Sequence, residues 1–134
     1  MNSSLSFNIL VVALSGALGA LARYGVYGLV RHLGWQGFPW ATFLVNMIGC
    51  LLFGIFVSVA EHRIPFADHT KLAVLVGFMG SFTTFSTFAV DAGALLREGQ
   101  VGLAAVYVIG QNALGIGLIF LGLYAGRYVG VTHG

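Results

Sequence analysis

The sequence predicts an all-α integral membrane protein, and three observations carry that prediction. Hydrophobic residues make up 58% of the 134 residues and charged residues 7%, whereas a soluble domain carries about 25% charge. Six Lys+Arg and four Asp+Glu are too few to build a soluble surface. The mean hydropathy is +0.94. The apolar residues also gather into four long runs, at about 7–30, 40–60, 72–96 and 101–128, each long enough for the roughly 20 residues a spanning helix needs. Backbone groups in lipid must be satisfied internally. No ten-residue alternation suggests a barrel, so the runs read as helices. The whole chain, 1–134, reads as one membrane domain.

The first run is apolar to Ala22, then carries Arg23, and is closed by Arg31 and His32. Its start, Met1-Asn2-Ser3-Ser4, has no basic n-region, so it reads as a retained helix and not a cleaved signal. A turn-rich linker, Gly34-Trp35-Gln36-Gly37-Phe38-Pro39, leads into the second run. Glu61, His62, Arg63, Pro65, Asp68, His69 and Lys71 form the most polar stretch and read as a loop. Arg97-Glu98-Gly99 separates the third run from the fourth. Trp35, Trp40, Tyr24, Tyr27, Tyr124 and Tyr128 sit near run ends, where an aromatic belt belongs. Small residues four apart, Ser15/Gly19, Gly16/Ala20 and Gly122/Gly126, let helix backbones approach closely, within a bundle or between subunits.

Several function classes drop out. A net charge of +2 with no basic run gives no nucleic-acid partner. One cysteine, Cys50, excludes an internal disulfide and a multi-thiolate metal site. No nucleotide motif or catalytic constellation is present, so an enzyme is not expected. With four spans, one side of the membrane holds Arg63, Lys71 and Arg127, and the other Arg23, Arg31 and Arg97. Three against three gives no preferred orientation. Either a small margin decides, or the chain inserts both ways and pairs opposite copies.

The third run is the abnormal one. Gly77 and Gly80 precede Ser81, Thr83, Thr84, Ser86 and Thr87, five hydroxyl residues in seven positions. Glycine weakens a helix, and Ser and Thr offer the backbone competing hydrogen bonds. The segment is therefore expected to break, and broken helices at membrane depth build ion sites. Phe82, Phe85 and Phe88, three apart, are expected to share a face. Their ring edges, partly positive, suit a small anion, although packing is the commoner fate of such a stripe. Asn46 is the one amide inside the second run. It could strip water from an anion or tie helices together. Gln111 and Asn112 raise the same choice in the fourth run, one turn after Tyr107. Arg23 snorkels or draws anions into a vestibule.

These residues carry a resemblance. Gly16 through Tyr24 is similar to the first-helix G-x-x-G-A-x-x-R pattern of the Fluc (CrcB) fluoride channels, Thr42 through Gly49 to their second-helix Asn motif, and Gly77 through Phe88 to their G-F-x-G-x-x-T-T-F-S-T-F signature. The chain resembles that family from end to end. The resemblance implies four transmembrane helices with the third broken, an antiparallel dual-topology homodimer and two pores. Asn46, Phe85 and Phe88 would contact fluoride. Thr84, Ser86 and Thr87 would line the way, Arg23 would face the vestibule, and Tyr107 and Asn112 would belong to the path. The carbonyls of Gly80 and Thr83 from both subunits would hold a structural sodium ion. Phe82 stands where the family often has an aliphatic residue and is left out of the pore. Ala89-Val90-Asp91 replaces a common Ser-Ala-Glu, and Gly115-Ile116 a common Gly-Ser.

The function expected is passive export of cytoplasmic fluoride. Hydrogen fluoride enters neutral and ionises inside, and the membrane potential then drives the anion out. The alternative is a small dual-topology multidrug exporter, which the missing central carboxylate in the first run disfavours.

Overall fold

The computed structural model describes residues 3–62 and 64–129. Arg63, one of the counted charges, lies outside the described residues. Four helical segments are long and apolar enough to cross a membrane. They begin with α1 (Ser3–His32) and α2 (Trp40–His62). The third span opens with the short turn α3 (Asp68–Lys71), passes through a π-helical stretch, Leu72–Met79, and ends its first half with α4 (Gly80–Phe82). Its second half is α5 (Phe85–Arg97), and α6 (Val101–Gly126) is the fourth span.

Two of these helices stop on the same device. Gly34 has φ +69° and Gly99 φ +75°, the left-handed conformation open to a residue without Cβ. Around Gly34, the Trp35 N–H reaches the Val30 carbonyl and the Gly34 N–H the Arg31 carbonyl. Around Gly99, Gln100 reaches Leu95 and Gly99 reaches Leu96 in the same pattern. Both are Schellman caps, which satisfy the last carbonyls and turn the chain sharply.

The helices pack as two close pairs. In one, α2 runs against α6, the most extensive contact in the molecule. A Cβ on Gly54 would strike the Ile119 carbonyl, and one on Gly122 the Leu51 carbonyl. Gly126 lies against Ser58 and Ile55. In the other pair, α1 lies along the first half of the third span. Gly19 abuts the Phe78 carbonyl, and Gly77 abuts the Ser15 side chain. The small-residue pairs Ser15/Gly19 and Gly122/Gly126 therefore serve packing inside one chain. A cluster of Phe88, Ala92, Leu95, Ala104 and Tyr107, flanked by Phe38, Phe43 and Leu103, closes the side toward the Gly34–Pro39 linker.

The break in the third span falls at Thr83 and Thr84. Thr83 (φ −77°, ψ 159°) and Thr84 (φ −150°, ψ 113°) are extended, with helix on either side. One expectation is corrected here. Phe82 does not share a face with Phe85 and Phe88, because the extended residues between them end one helix and start another. Phe82 is 4% exposed and stacks on Phe78, ring centres 5.8 Å apart. Phe85 and Phe88 do meet, at 5.6 Å.

Candidate functional site

Extended residues at membrane depth leave backbone groups without helical partners, and each needs another. Asn46 supplies two of the bonds. The Thr84 N–H donates to Asn46 Oδ1 at 2.8 Å, and Asn46 Nδ2 donates back to the Thr84 carbonyl at 3.0 Å. The amide thus stands in for a neighbouring strand. It is 9% exposed. Asn46 ties the break to α2 and keeps one N–H uncommitted.

Thr84 then caps the second half-helix. Its side-chain oxygen accepts the Thr87 N–H at 3.4 Å, and the two hydroxyls lie 3.0 Å apart. These diversions free two carbonyls. In an unbroken helix the Thr84 N–H would serve the Gly80 carbonyl, and the Thr87 N–H the Thr83 carbonyl. The first goes to Asn46 and the second to Thr84 Oγ1. Gly80 and Thr83 are the residues expected to face a cation. Uncharged carbonyl oxygens are hard ligands of the kind alkali ions take. The Thr83 hydroxyl donates its proton to the Met79 carbonyl at 3.0 Å.

Two cavities flank the break. The inner one, about 330 Å³, is lined by Asn46, Thr83, Thr84, Phe85, Phe88 and Asn112, together with Met47, Cys50, Phe53 and Gln111. Five residues assigned to the fluoride path, Asn46, Thr84, Phe85, Phe88 and Asn112, are thus brought to one chamber. It opens at the subunit surface, because Phe85 on its wall is 78% exposed and Asn112 is exposed too. Asn112 Nδ2 donates to the Val108 carbonyl at 2.8 Å, the bond of an amide held against its own helix.

The outer cavity, about 810 Å³, lies toward the Gly34–Pro39 linker. Arg23, Tyr27, Arg31, Thr42, Thr87 and Asp91 are among its lining residues. Arg23, expected to face a vestibule, and Thr87, expected to line the way, both line this cavity. Arg23 and Arg31 outnumber the Asp91 carboxylate at its wall, so the balance favours anions by Coulomb attraction, weakened where water enters.

The remaining assignments separate. Tyr107 is fully buried and lines neither cavity. Its ring meets Phe88 at 5.2 Å, and its hydroxyl donates to Asp91 Oδ2 at 3.3 Å. Ser86 is exposed and lines neither cavity within one chain.

Four residues gain roles that the sequence did not reveal. Thr42 donates to Asp91 Oδ2 at 2.6 Å, and Tyr27 shares a 2.7 Å bond with Thr42. The one Thr42 proton goes to the carboxylate, so Tyr27 donates to Thr42. Asp91, with no assigned role in the sequence, is thereby the acceptor of a hydroxyl network from three helices. Gln111 joins the inner chamber although Asn112 was the amide selected there. A 3.6-residue period from Tyr107 was the available signal, since it places Gln111 on the buried face of α6.

Residues 10–123 match the family described as CrcB-like protein, Camphor Resistance (CrcB). The chain is 50% identical over 111 residues to a fluoride-specific ion channel FluC of Nitrosococcus oceani, covering 83% of this chain and 89% of the relative. It is 47% identical over 121 residues to a protein of the same name from Nitratidesulfovibrio vulgaris, covering 90% and 98%. A FluC of Methylobacillus flagellatus is 40% identical over 118 residues, covering 87% and 91%.

Proposed function

The chain belongs to the CrcB family of fluoride-specific ion channels, and on that premise we propose that it exports cytoplasmic fluoride passively, as an antiparallel homodimer with two pores and a central sodium ion. It is a membrane channel and not an enzyme, and the multidrug-exporter alternative falls away with the family.

One observation carries the dimer. The inner chamber holds Asn46, Thr84, Gln111 and Asn112, yet it opens on the outside of a lone subunit. Amides and hydroxyls facing hydrocarbon are costly, and irregular backbone at membrane depth is tolerated only when protein or water covers it. A second copy of the chain laid over Phe85 and Gly80 closes the chamber. The three-to-three tally of Arg63, Lys71 and Arg127 against Arg23, Arg31 and Arg97 lets that copy insert upside down.

The pore follows from the same chemistry. Fluoride is strongly hydrated, and a path through the membrane must replace that water without gripping the ion. Asn46's remaining N–H, the Thr84 and Thr87 hydroxyls and the edges of Phe85 and Phe88 are weak donors in succession. Arg23 at the vestibule raises the local anion concentration without standing in the narrow part. Ser86, Tyr107 and Asn112 complete the proposed path, Tyr107 by backing Phe88. The carbonyls of Gly80 and Thr83, doubled by a two-fold axis, would hold sodium, whose role there is to bind the two breaks together.

The test is efflux. Purified protein in liposomes, given a cation ionophore to collapse charge build-up, is expected to release fluoride and retain chloride. Equal release of both anions would sink the reading.

A further inference from the structure

We propose that Met47, Cys50 and Gln111, on one wall of the inner chamber, form a binding site for a soft monovalent metal ion, copper(I) or silver(I), and that its occupation closes the chamber to fluoride. The closure, but not the binding, rests on reading that chamber as the anion path.

Two sulfur-bearing side chains converge there. Met47 and Cys50 are three apart on α2, and Gln111 and Gly115 four apart on α6, so each pair shares a face. A Cβ on Gly115 would stand 3.4 Å from Cys50 Sγ and 3.4 Å from Met47 Cε, the methyl carbon on the thioether sulfur. Glycine leaves that space open, and the flexible methionine chain can turn its sulfur into it. Met47, Cys50 and Gln111 all line the chamber. Gln111 adds an oxygen in want of a partner. The residue is 8% exposed, and its Oε1 is shut off from solvent with no partner among the described residues.

An amide carbonyl only accepts, so it calls for a proton donor or a cation. An orphaned buried acceptor is uncommon in folded proteins. A metal ion at this wall satisfies it and is held by the two sulfurs. Thiolate and thioether are soft ligands that select copper(I), whereas sodium takes oxygen. The site is therefore distinct from the Gly80 and Thr83 carbonyls. Binding exchanges one cation for another. The Cys50 S–H bond breaks, an S–metal bond forms, and the proton leaves to water with no change of oxidation state. The resulting metal thiolate has no net charge, which suits a wall shared with Phe53, Phe88 and Ile119. The metal would stand in the same space of about 330 Å³ as Asn46 and Phe88, where it displaces the water and the ion that would pass.

The experiment uses silver(I) on the purified full-length protein, in chloride-free nitrate buffer so that silver stays in solution. Cys50 is the one cysteine of the chain, so a single substitution removes the thiol. Wild type is expected to retain silver after desalting, with sulfur neighbours in its X-ray absorption spectrum, and to lose most fluoride efflux from liposomes. Dithiothreitol, a competing dithiol, is expected to strip the silver and restore efflux. Cys50→Ser is expected to conduct, to retain no silver and to be insensitive to it; should it fail to assemble, Cys50→Ala is read against the same outcomes. Met47→Leu and Gln111→Leu keep the thiol and are each expected to release silver at a roughly tenfold lower dithiothreitol concentration, the loss that follows removal of a supporting group at a metal site. No retention by wild type, or equal retention by Cys50→Ser, overturns the site. Unchanged release from both leucine variants also overturns it, because a lone thiol would then be the binder. Silver held without loss of efflux overturns the closure. Phe88→Ile then separates the causes: slow efflux from it keeps the path and removes only the closure, whereas wild-type efflux removes the path through this chamber.

Discussion

Asn46 and Thr84 exchange two hydrogen bonds, at 2.8 and 3.0 Å, across 38 residues of sequence. The amide of one spanning helix supplies the partners that the break in another has lost. Asn46 is thus a strut before it is anything else. The two readings of a lone membrane amide, structural tie and anion contact, are compatible here because one N–H remains.

Replacing Asn46 by leucine strands the Thr84 N–H and carbonyl together. Each unpaired buried group costs about 1–3 kcal/mol, so a combined loss of about 2–6 kcal/mol is expected. Thermal unfolding in detergent should show it, with less dimer recovered on size-exclusion chromatography. An unchanged melting temperature would mean that water satisfies the break.

Phe85 and Phe88 should part company in stability but not in conduction. Phe88 is 7% exposed and packs on Tyr107, so Phe88→Ile is expected to cost roughly 1–3 kcal/mol. Phe85 is 78% exposed in one subunit, and Phe85→Ile should leave subunit folding nearly intact. Both variants are expected to lose most fluoride efflux when normalised to dimer content. Wild-type efflux from both would make the rings packing alone.

Glycines at the two close contacts should resist even alanine. A Cβ at Gly122 would strike the Leu51 carbonyl and the Ile55 nitrogen, and one at Gly19 the Phe78 backbone. Backbone cannot move aside as a flexible side chain can, so Gly122→Ala and Gly19→Ala are each expected to destabilise by about 1–3 kcal/mol. Gly117 and Gly25 meet nothing within 4 Å in the chain. Gly117→Ala and Gly25→Ala should be neutral or slightly stabilising for the subunit. Thermal melts of the four variants make the comparison.

Sodium removal should act on the protein and not on the driving force. With Gly80 and Thr83 carbonyls freed by the break, exhaustive exchange into sodium-free buffer is expected to reduce fluoride efflux. Readdition on either side of the liposome membrane should restore it, regardless of the sodium gradient. Full activity after prolonged depletion would remove sodium from the proposal.

The four spans were legible because hydropathy is a property of whole segments, and the runs 7–30, 40–60, 72–96 and 101–128 lie within or close to the helical segments found. The break was legible because Gly80, Thr83 and Thr84 weaken a helix locally. The partner of Thr84 was not, since Asn46 lies on another helix and no local pattern records which amide reaches it. Periodicity failed at Phe82 for the complementary reason: spacing implies a shared face only while one helix continues through both positions. The π-helical stretch Leu72–Met79 left no signal among its apolar residues. Ser86 carried a hydroxyl like its neighbours, but only the direction of α5 shows that it points away from both cavities of its own chain.

The contact between the Thr84 and Thr87 hydroxyls has an electrical consequence. Thr84 lines the inner cavity and Thr87 the outer one, and no residue lines both. The pair, 3.0 Å apart, joins a residue of one cavity to a residue of the other. If fluoride takes the proposed path, two water-filled cavities would conduct well and the membrane voltage would fall mainly between them, at these hydroxyls. An ion passing there would do most of its electrical work in one short step. Hydroxyl rotors turn in picoseconds to nanoseconds, so such a step would need no backbone movement, and the voltage would act on the ion and not on a hinge.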